Sequence, residues 1–499
     1  MIFSLLSFGL LATRVLAQAE EECGGPQDLR SLLLSPANNW SARTDITFPD
    51  DGDVFNNVTE RWSIFSQPTY VAAISPINED DVVRAVRFAR ANNIEFLATG
   101  GRHGYVPGFG RLQRGLAIDL SNLNSVYINE TAETMTIGGG VRARDVTGPV
   151  SAAGFELPLG GCSCPGFVGV TIGGGITNWL GIHGLIIDVL QSVRLVTADG
   201  RIVIASETEN AELFWGIRGA GSNFGIIVEA TYRLSRPTNN NEILIVDTAF
   251  PAYMNVSYYN ALAELLARPD ARLTTNSLVN YNPEYNMTMI MGNFHWLGPH
   301  DEGMALLAPL LDLQPVLLET HTVPWNEFHH ATLYGRDAQN CIPGTIRLPY
   351  GAMTRNVSVP TLLRSFERIS RMFNEFPGTR GSALVYHSYA PEAAQSFPDE
   401  STAYAWRDAQ QYMYVLLNWT PGDCATESGA NAAAYAIRAD FAETSGYDGL
   451  ASYTNFAHGD ETIEEIYGVR KLPQLAAIKA TWDPDNVFKF HFPLPTSYP

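Results

Sequence analysis

Glycine and cysteine are concentrated in residues 160–175, which read GGCSCPGFVGVTIGGG. Seven of these sixteen residues are glycine, and Cys162 and Cys164 lie among them. Glycine lets a backbone approach a ligand closely, and its N–H groups can face anionic oxygens. The segment therefore predicts a ligand held by backbone with a thiol beside it. The alternative is a tight turn with a buried or disulfide-bonded cysteine.

Two more glycine-rich segments, 99–105 and 216–225, are predicted to be loops that end strands of the same domain. Three converging loops would surround a large anionic cofactor, whereas a phosphate-only site needs one GxxxxGK[ST] loop, which the sequence lacks. A GxGxxG turn at a strand–helix junction is also missing, which disfavours a Rossmann NAD site. The lack of a GxSxG elbow argues against acyl transfer. No HxH or HxxxH spacing with an accompanying acid is found, so no metal is predicted.

The elements that would position the first loop follow a β–α–β order. We predict strands at 71–74 and 94–98 around a helix at 79–92, with Asn78 as its N-cap. Further strands are expected at 116–120, 134–138, 189–197, 201–205 and 226–234, and a helix at 143–153. Asp199-Gly200 predicts a hairpin turn.

Residues 238–450 alternate strand-like runs with helices. Strands are expected at 242–247, 287–292 and 412–419, and helices at 258–267 and 360–374, which predicts a second domain with an antiparallel sheet covered by helices. His329, His330 and Tyr334 could face a pocket from this domain, but solvated surface histidines are the favoured interpretation. A last helix is expected near 472–482.

Bulk properties favour a secreted globular protein of two domains. The 499 residues are 45% hydrophobic and carry a net charge of −20, which argues against nucleic-acid and anionic-membrane partners. Residues 1–17 resemble a signal peptide, although the positive n-region is missing, and no other run could span a bilayer. Sites for N-linked glycans are predicted at seven sequons, Asn39, Asn57, Asn129, Asn255, Asn286, Asn356 and Asn418. Five cysteines are an odd number, so one thiol is left over in an oxidising compartment.

Several motifs, in this order, carry a family resemblance: TGGRHGY at 99–105, GCSCPG at 161–166, GGG at 173–175, YTNF at 453–456, YG at 467–468 and WDPDNVF at 482–488. The chain resembles the berberine bridge enzyme-like branch of the vanillyl-alcohol-oxidase superfamily, whose members bind FAD in a PCMH-type domain, and especially its secreted fungal members. The resemblance covers roughly residues 66–237 and 451–499.

The resemblance implies an α+β flavoprotein with two domains. The FAD-binding domain would comprise 66–237, preceded by its N-terminal segment 18–65 and completed by the C-terminal segment 451–499. Residues 238–450 would form the substrate-binding domain. The implied cofactor contacts are Thr99, Gly100, Gly101, Arg102, His103, Gly104, Tyr105, Cys162, Gly166, Gly169, Gly173, Gly174, Gly175, Gly225, Ile227 and Asn455.

Two of these residues are implied to bond FAD covalently, His103 at the flavin 8α-methyl carbon and Cys162 at C6. A neutral imidazole suits the first bond, and a thiolate favoured by surrounding backbone N–H groups suits the second. Cys164 could replace Cys162, and a disulfide from either residue to Cys23 is the other alternative. If Cys162 is consumed, four cysteines allow two disulfides, and we predict a Cys341–Cys424 bond. Arg102 departs from the glycine that many relatives have, and Gly-Val-Arg-Lys at 468–471 departs from the commoner Gly-x-Asn.

The resemblance implies an oxidase that takes hydride from an alcohol, a carbohydrate or a secondary metabolite and reduces O₂ to hydrogen peroxide. Tyr453 is the preferred base, and Tyr414, on the strand at 412–419, is the second candidate. Either tyrosine could instead be a core aromatic, since a phenol that titrates near ~10 needs a neighbouring cation or a shared proton. The alternative functions are a flavin-containing pericyclase or cyclase and a binding glycoprotein with a vestigial site.

Overall fold

The computed structural model describes residues 29–499. The predicted signal peptide at 1–17 and Cys23 lie outside the described residues. The described chain divides into two compact units, the first ending at Asn39 and the second comprising Trp40–Pro499. In the first unit, helix α1 (Leu29–Leu33) is followed by a 3-10 turn at Pro36–Asn38. Asn38 Nδ2 closes this turn by donating to the carbonyl oxygen of Leu32 at 2.7 Å.

The first sheet of the larger unit holds the predicted β–α–β segment. Its strands are β1 (Asp45–Thr47), β2 (Tyr70–Ser75), β3 (Phe96–Thr99) and β4 (Gly115–Asp119), in the order β1-β2-β4-β3. Helix α2 (Asp53–Thr59) precedes β2, and α3 (Glu79–Ala91) connects β2 to β3. The N-cap prediction is confirmed, because Asn78 Oδ1 accepts a bond from Asp81 N at 3.0 Å. Neither β1 nor α2 was predicted from the sequence.

The second sheet is antiparallel, with the order β5-β6-β9-β7-β8. Its strands are β5 (Val126–Asn129), β6 (Thr134–Gly138), β7 (Leu190–Val196), β8 (Ile202–Ser206) and β9 (Ile226–Arg233). The hairpin prediction at Asp199-Gly200 is confirmed, since Gly200 has φ 72° between β7 and β8. Five helices lie between these strands, α4 (Ala143–Ala152), α5 (Phe167–Ile172), α6 (Leu180–His183), α7 (Ile186–Val189) and α8 (Ala211–Ala220).

The prediction that all three glycine segments are loops ending strands is wrong for two of them. Only 99–105 follows a strand, β3. Segment 160–175 follows α4 and contains α5, while 216–225 begins inside α8 and leads into β9. The helical conformation breaks at Arg218 and Gly219, where Gly219 has φ 136°. Glycine content indicated where the backbone comes close to other groups, but not the element it belongs to.

The third sheet is antiparallel and draws all of its strands from residues 243–417. Its order is β13-β10-β12-β11-β15-β16-β14. The strands are β10 (Ile243–Pro251), β11 (Leu273–Asn282), β12 (Met287–Trp296), β13 (Leu317–Val323), β14 (Leu348–Thr354), β15 (Ala383–Ser388) and β16 (Gln411–Leu417). These strands confirm the predicted antiparallel sheet, whereas the domain limits at 237/238 and 450/451 stay a prediction.

Helices cover one face of the third sheet, because side chains alternate between the two faces of each strand. Apolar residues of α9 (Asn255–Leu266), α10 (His300–Leu311), α13 (Val359–Glu375) and α15 (Cys424–Thr444) share a core with Val246, Phe294 and Met413. The residues between these positions point to the opposite face, where the cavity described below lies. The remaining helices are α11 (Phe328–Ala331), α12 (Asp337–Asn340), α14 (Glu392–Gln395), α16 (Ile463–Tyr467) and α17 (Leu472–Trp482).

The disulfide joins Cys164 to Cys341, with their Cα atoms 5.7 Å apart, so the predicted Cys341–Cys424 bond is wrong. Asp337 of α12 accepts a bond from Ser163 N at 3.0 Å, which ties this helix and the following Cys341 to segment 160–175. Cys424 is free and exposed at the start of α15. Because Cys164 is bonded to Cys341, the alternative pairing of Cys164 with Cys23 is wrong, and Cys162 is free.

Among the described residues, no helix is both long and apolar enough to cross a membrane.

Replacing both Cys164 and Cys341 by serine is expected to lower the free energy of unfolding by about 2–5 kcal/mol. The bond links residues 177 positions apart, so its loss frees a long loop in the unfolded chain. Denaturant titration of the variant measures the change, and Cys424→Ser is the matched control. Equal stabilities of the double variant and the control would contradict the assigned bond.

Candidate active site

A cavity of about 820 Å³ lies in the unit Trp40–Pro499. Its lining combines the three glycine-rich segments with the uncovered face of the third sheet. The charged side chains among its described lining residues are all basic: Arg61, Arg102, Arg347 and Lys489. Arg102 and Lys489 are ion-paired with Asp119 and Glu95 outside the lining, which leaves Arg61 and Arg347 as the basic lining residues with no carboxylate partner among the described residues. The cavity suits an anionic ligand.

The structure brings nearly all predicted site residues to this cavity. Only Gly174 and Gly175 are not part of the lining. Gly174 has φ 129°, and a Cβ atom added there would lie 2.7 Å from the ring of Tyr404. Gly175 N donates to the Tyr453 hydroxyl. The predicted site residues that line the cavity are Thr99, Gly100, Gly101, Arg102, His103, Gly104, Tyr105, Cys162, Gly166, Gly169, Gly173, Gly225, Ile227, Tyr414, Tyr453 and Asn455.

The first two glycine segments touch backbone to backbone. A Cβ atom added at Gly101 would lie 2.2 Å from Gly166 N, and one at Gly100 would lie 2.6 Å from the Gly139 carbonyl oxygen. Real Cβ atoms do not come this close to backbone, so these positions require glycine. The contact places the residues that follow Gly101 and precede Gly166 on the same cavity.

Arg102 occupies a left-handed conformation, with φ 54°, which glycine adopts with less strain than other residues. Its guanidinium donates to Asp119 Oδ1 at 2.7 Å and to the Asn57 carbonyl oxygen at 2.8 Å. These bonds hold the loop that carries His103 against the C-terminal end of β4 and against α2.

His103 is held as a neutral imidazole. Its ring stacks on Trp62 with centroids 4.0 Å apart. Burial, together with the nearby charges of Arg347, Arg142 and Arg61, lowers the pKa of His103 to about 3. The buried Nε2 has no hydrogen-bond partner among the described residues. A neutral, unpartnered ring nitrogen in a cavity fits the covalent flavin bond that the resemblance implies.

Cys162 is the free thiol of a three-sulfur cluster, in which the Sγ atoms of Cys162, Cys164 and Cys341 lie within 4.8 Å of one another. Burial raises the pKa of Cys162 to about 11; Asp337 adds to this shift, and the backbone N–H of Cys164 opposes it. The backbone donor favours the thiolate as expected, but burial outweighs it and the thiol keeps its proton. Cys164 is already bonded, which leaves Cys162 as the available sulfur.

Tyr453 and Tyr414 differ in what surrounds their hydroxyl groups. The Tyr453 oxygen accepts bonds from Gly175 N at 3.1 Å, Ile176 N at 3.4 Å and Asn455 Nδ2 at 2.8 Å. Burial raises the pKa of Tyr453 against these three donors. Burial also raises the pKa of Tyr414, whose ring packs on Phe456 with centroids 4.3 Å apart. Both phenols are thus protonated at neutral pH.

Sequence analysis missed several lining residues, among them Trp62, Asn276, Arg347, His387 and Tyr389. His387 could have been found from the sequence. Val385, His387 and Tyr389 are spaced by two, so they project to the same face of β15 and of the residue that follows it.

The interpretation of His329 and His330 as solvated is right for the second and wrong for the first. His330 is exposed, whereas His329 is 3% exposed and its Nε2 lies 3.0 Å from the Gly160 carbonyl oxygen. Tyr334 donates to the Thr248 carbonyl oxygen at 2.8 Å. None of the three residues lines the cavity.

Replacing His103 by glutamine is expected to make stability less sensitive to acid in protein produced without flavin. The folded pKa of about 3 lies below the ordinary value of 6.5, so from pH 6.5 downward the unfolded chain binds a proton that the folded chain does not. Stability conferred by the neutral ring is therefore present above pH 6.5 and is lost as the pH falls towards 3. Urea titrations at pH 7, 5.5 and 4.5 measure the slope, with His300→Gln, an exposed histidine, as control. Equal slopes for His103→Gln and wild type would contradict the burial of a neutral ring.

Comparisons with known proteins show the family to which this chain belongs. Residues 71–206 match the family described as FAD binding domain, and residues 452–495 match the family described as berberine and berberine like. The FAD-linked oxidoreductase srdI of Neurospora crassa is 42% identical over 95% of this chain and 94% of its own length. The FAD-linked oxidoreductase OXR1 of Pyricularia oryzae is also 42% identical, over 96% of this chain and 95% of its own length.

Solved structures show the same fold. Chitooligosaccharide oxidase has a TM-score of 0.77 and 21% identity, covering 92% of this chain and 98% of that structure. The glucooligosaccharide oxidase of Acremonium strictum, whose title names a 6-S-cysteinyl, 8α-N1-histidyl FAD, has a TM-score of 0.75 and 20% identity over 92% of this chain and 98% of that structure. The chain is thus an FAD-linked oxidoreductase, and it belongs to the berberine bridge enzyme-like branch of the vanillyl-alcohol-oxidase flavoprotein superfamily.

Proposed function

We propose that this enzyme is an FAD-dependent oxidase, which removes a hydride from a neutral alcohol, carbohydrate or secondary metabolite and passes the electrons to O₂ to give hydrogen peroxide. The observation that carries the proposal is the cavity in which His103 Nε2, the Cys162 thiol and glycine backbone all meet. When bound, FAD supplies the two-electron acceptor for this chemistry.

The charges of the cavity support FAD as the cofactor and a neutral molecule as the substrate. Four basic side chains and no acidic one are found among the described lining residues, which suits the diphosphate of a dinucleotide. A cationic amine would find no carboxylate partner on this lining. The sheet face of the cavity is mainly aromatic and apolar, with Leu278, Val385, Tyr389, Tyr414 and Leu416.

A bicovalent bond through His103 and Cys162 is supported by the state of both residues. The histidine offers an unpartnered nitrogen, and the cysteine is free beside the bonded pair Cys164–Cys341. The histidine is already in its nucleophilic, neutral form, whereas the thiol must lose its proton before it can attack.

Tyr453 and Tyr414 stay our predicted catalytic residues. Three N–H donors surround the Tyr453 oxygen and would stabilise its phenolate, so its hydroxyl is the more easily deprotonated of the two. As protonated phenols, both would instead donate a hydrogen bond and orient the substrate oxygen.

Secretion with N-linked glycans belongs to the same proposal. Asn57, Asn286 and Asn356 are exposed and could carry glycans. Asn418 lines the cavity and its Nδ2 donates to the Ile346 carbonyl oxygen at 2.8 Å, so this sequon is expected to stay unmodified.

The attachment of the flavin can be tested by mass mapping of peptides from acid-denatured protein. Wild type is expected to keep its flavin on denaturation, His103→Ala to lose the histidyl bond and Cys162→Ala to lose the cysteinyl bond. Cys424→Ser is the control that keeps both. Release of all flavin from denatured wild type would contradict the covalent assignment.

The oxidase reaction is tested by peroxide release and O₂ uptake on a panel of xylobiose, chitobiose, cellobiose and benzyl alcohol. We expect stoichiometric peroxide and O₂ uptake with at least one of these compounds. A product formed without O₂ uptake would favour the pericyclase alternative and overturn the oxidase assignment.

Gly101→Ala is expected to destabilise the protein by about 1–3 kcal/mol and to lower its flavin content, because the new Cβ would overlap Gly166 N. Absorbance of the flavin per protein and thermal unfolding measure the two effects. Gly148→Ala is the control, since nothing lies within 4 Å of a Cβ at that position in α4. Wild-type flavin content in Gly101→Ala would contradict the close contact between the two loops.

A further inference from the structure

A row of four polar residues crosses the third sheet on its uncovered face. Asp247 of β10 pairs in register with Asn293 of β12, Asn293 pairs with Asn276 of β11, and Asn276 pairs with His387 of β15. Residues in register project to the same face of a sheet, so the four side chains form one line. The line runs from a fully buried carboxylate at Asp247 to a side chain that lines the cavity at His387.

A hydrogen bond joins each pair of neighbouring side chains in this row. Asn293 Nδ2 donates to Asp247 Oδ1, Asn276 Nδ2 lies 3.4 Å from Asn293 Oδ1, and His387 Nδ1 contacts Asn276 Oδ1. An ionised carboxylate only accepts, so Asn293 must turn its NH₂ group towards Asp247 and its oxygen towards Asn276. Asn276 then presents its oxygen to His387. That oxygen can only accept, so His387 must carry a proton on Nδ1.

This tautomer determines the state of the other ring nitrogen of His387, Nε2. A neutral histidine protonated on Nδ1 has a free lone pair on Nε2. No hydrogen bond joins His387 Nε2 to another residue of the part of the chain that the structure describes, and the side chain lines the cavity between the rings of Tyr389 and Tyr414. Burial lowers the pKa of His387 to about 4, which keeps the ring neutral near neutral pH. The cavity thus contains an unpaired basic nitrogen of fixed tautomer.

We propose that His387 Nε2 is the base that accepts the hydroxyl proton of the substrate, and that Asp247, Asn293 and Asn276 are positioning residues that hold His387 in the required tautomer. The inference rests on the proposed oxidase function. The substrate O–H bond breaks and its proton goes to Nε2. The electron pair of that bond forms the carbonyl double bond, while the hydride of the carbinol carbon leaves to the oxidant FAD. A protonated phenol at Tyr453 or Tyr414 cannot take this proton, which leaves it the role of a donor to the substrate oxygen.

The tautomer is tested in the holoenzyme by NMR after selective ¹⁵N-histidine labelling, with His387→Gln used to assign the signal. We expect one Nδ1 with a directly bonded proton and an Nε2 shift typical of an unprotonated ring nitrogen. A proton on Nε2 in the wild-type protein would overturn the proposal. The measurement is made on the wild-type protein without a substrate, and His387→Gln serves only to assign the signal.

Two variants at the far end of the row separate positioning from simple packing. Asp247→Ala removes the acceptor that orients Asn293, so we expect both tautomers of His387 to appear. Asp247→Asn keeps an oxygen that can accept from Asn293, so we expect it to restore the single tautomer. A single wild-type tautomer in a folded Asp247→Ala protein would overturn the role of Asp247.

Catalysis is tested by the rate of anaerobic flavin bleaching with the best alcohol of the panel. His387→Gln is expected to slow this step about 10²–10⁴-fold, the range typical of a general base. His330→Gln, an exposed histidine outside the cavity, is the control. A loss below tenfold in His387→Gln together with a large loss in Tyr453→Phe would overturn the assignment in favour of the tyrosine. Absence of peroxide from the whole panel would count against the oxidase function, while the NMR measurement would still decide whether the row fixes the tautomer of His387.

Discussion

The architecture of the site depends on a contact that only glycine permits, the approach of Gly101 to Gly166. The two segments lie far apart in the sequence and come from different parts of the fold, one from the end of β3 and the other from the turn before α5. Because their backbones touch, the imidazole two residues after Gly101 and the thiol four residues before Gly166 open onto one cavity. Arg102 on one side and the Cys164–Cys341 bond on the other fix these two segments to the body of the protein.

Burial determines the charge state of the groups in this cavity more than any single neighbour does. It lowers the pKa of His103 and raises that of Cys162, and in both cases it favours the uncharged form. The positive lining would stabilise a thiolate, yet the thiol stays protonated because desolvation is the larger effect. Net charge is therefore a poor guide to the site, since the charged residues that line the cavity of this acidic protein are all basic.

Sequence reasoning succeeded where the signal is local and failed where it depends on distant partners. The Asn78 cap, the Asp199-Gly200 turn and helix α17 follow from short-range chemistry, and their positions were predicted closely. The placement of the glycine segments on one cavity followed from motif order. The partner of Cys341 could not be read from spacing, because it depends on how α12 packs against segment 160–175. The sequence predicts a loop where the second half of helix α8 lies, because its glycines resemble turn residues, but tertiary packing overrides their low helix propensity.

The polar row of the third sheet buries a carboxylate, which lowers stability, and this cost indicates that the row has a function. Asp247 has one oxygen without a partner among the described residues, and burial raises its pKa to about 6. The carboxylate is still ionised at neutral pH, but its ionisation costs stability in the folded protein. Positions beside the row on the same face, such as Leu278 and Val385, are apolar and show that the sheet can accommodate such side chains there. A sheet built for stability alone would place apolar residues along the whole row. The retained carboxylate has a defined consequence at the opposite end of the row, where it determines which nitrogen of His387 faces the cavity without a proton.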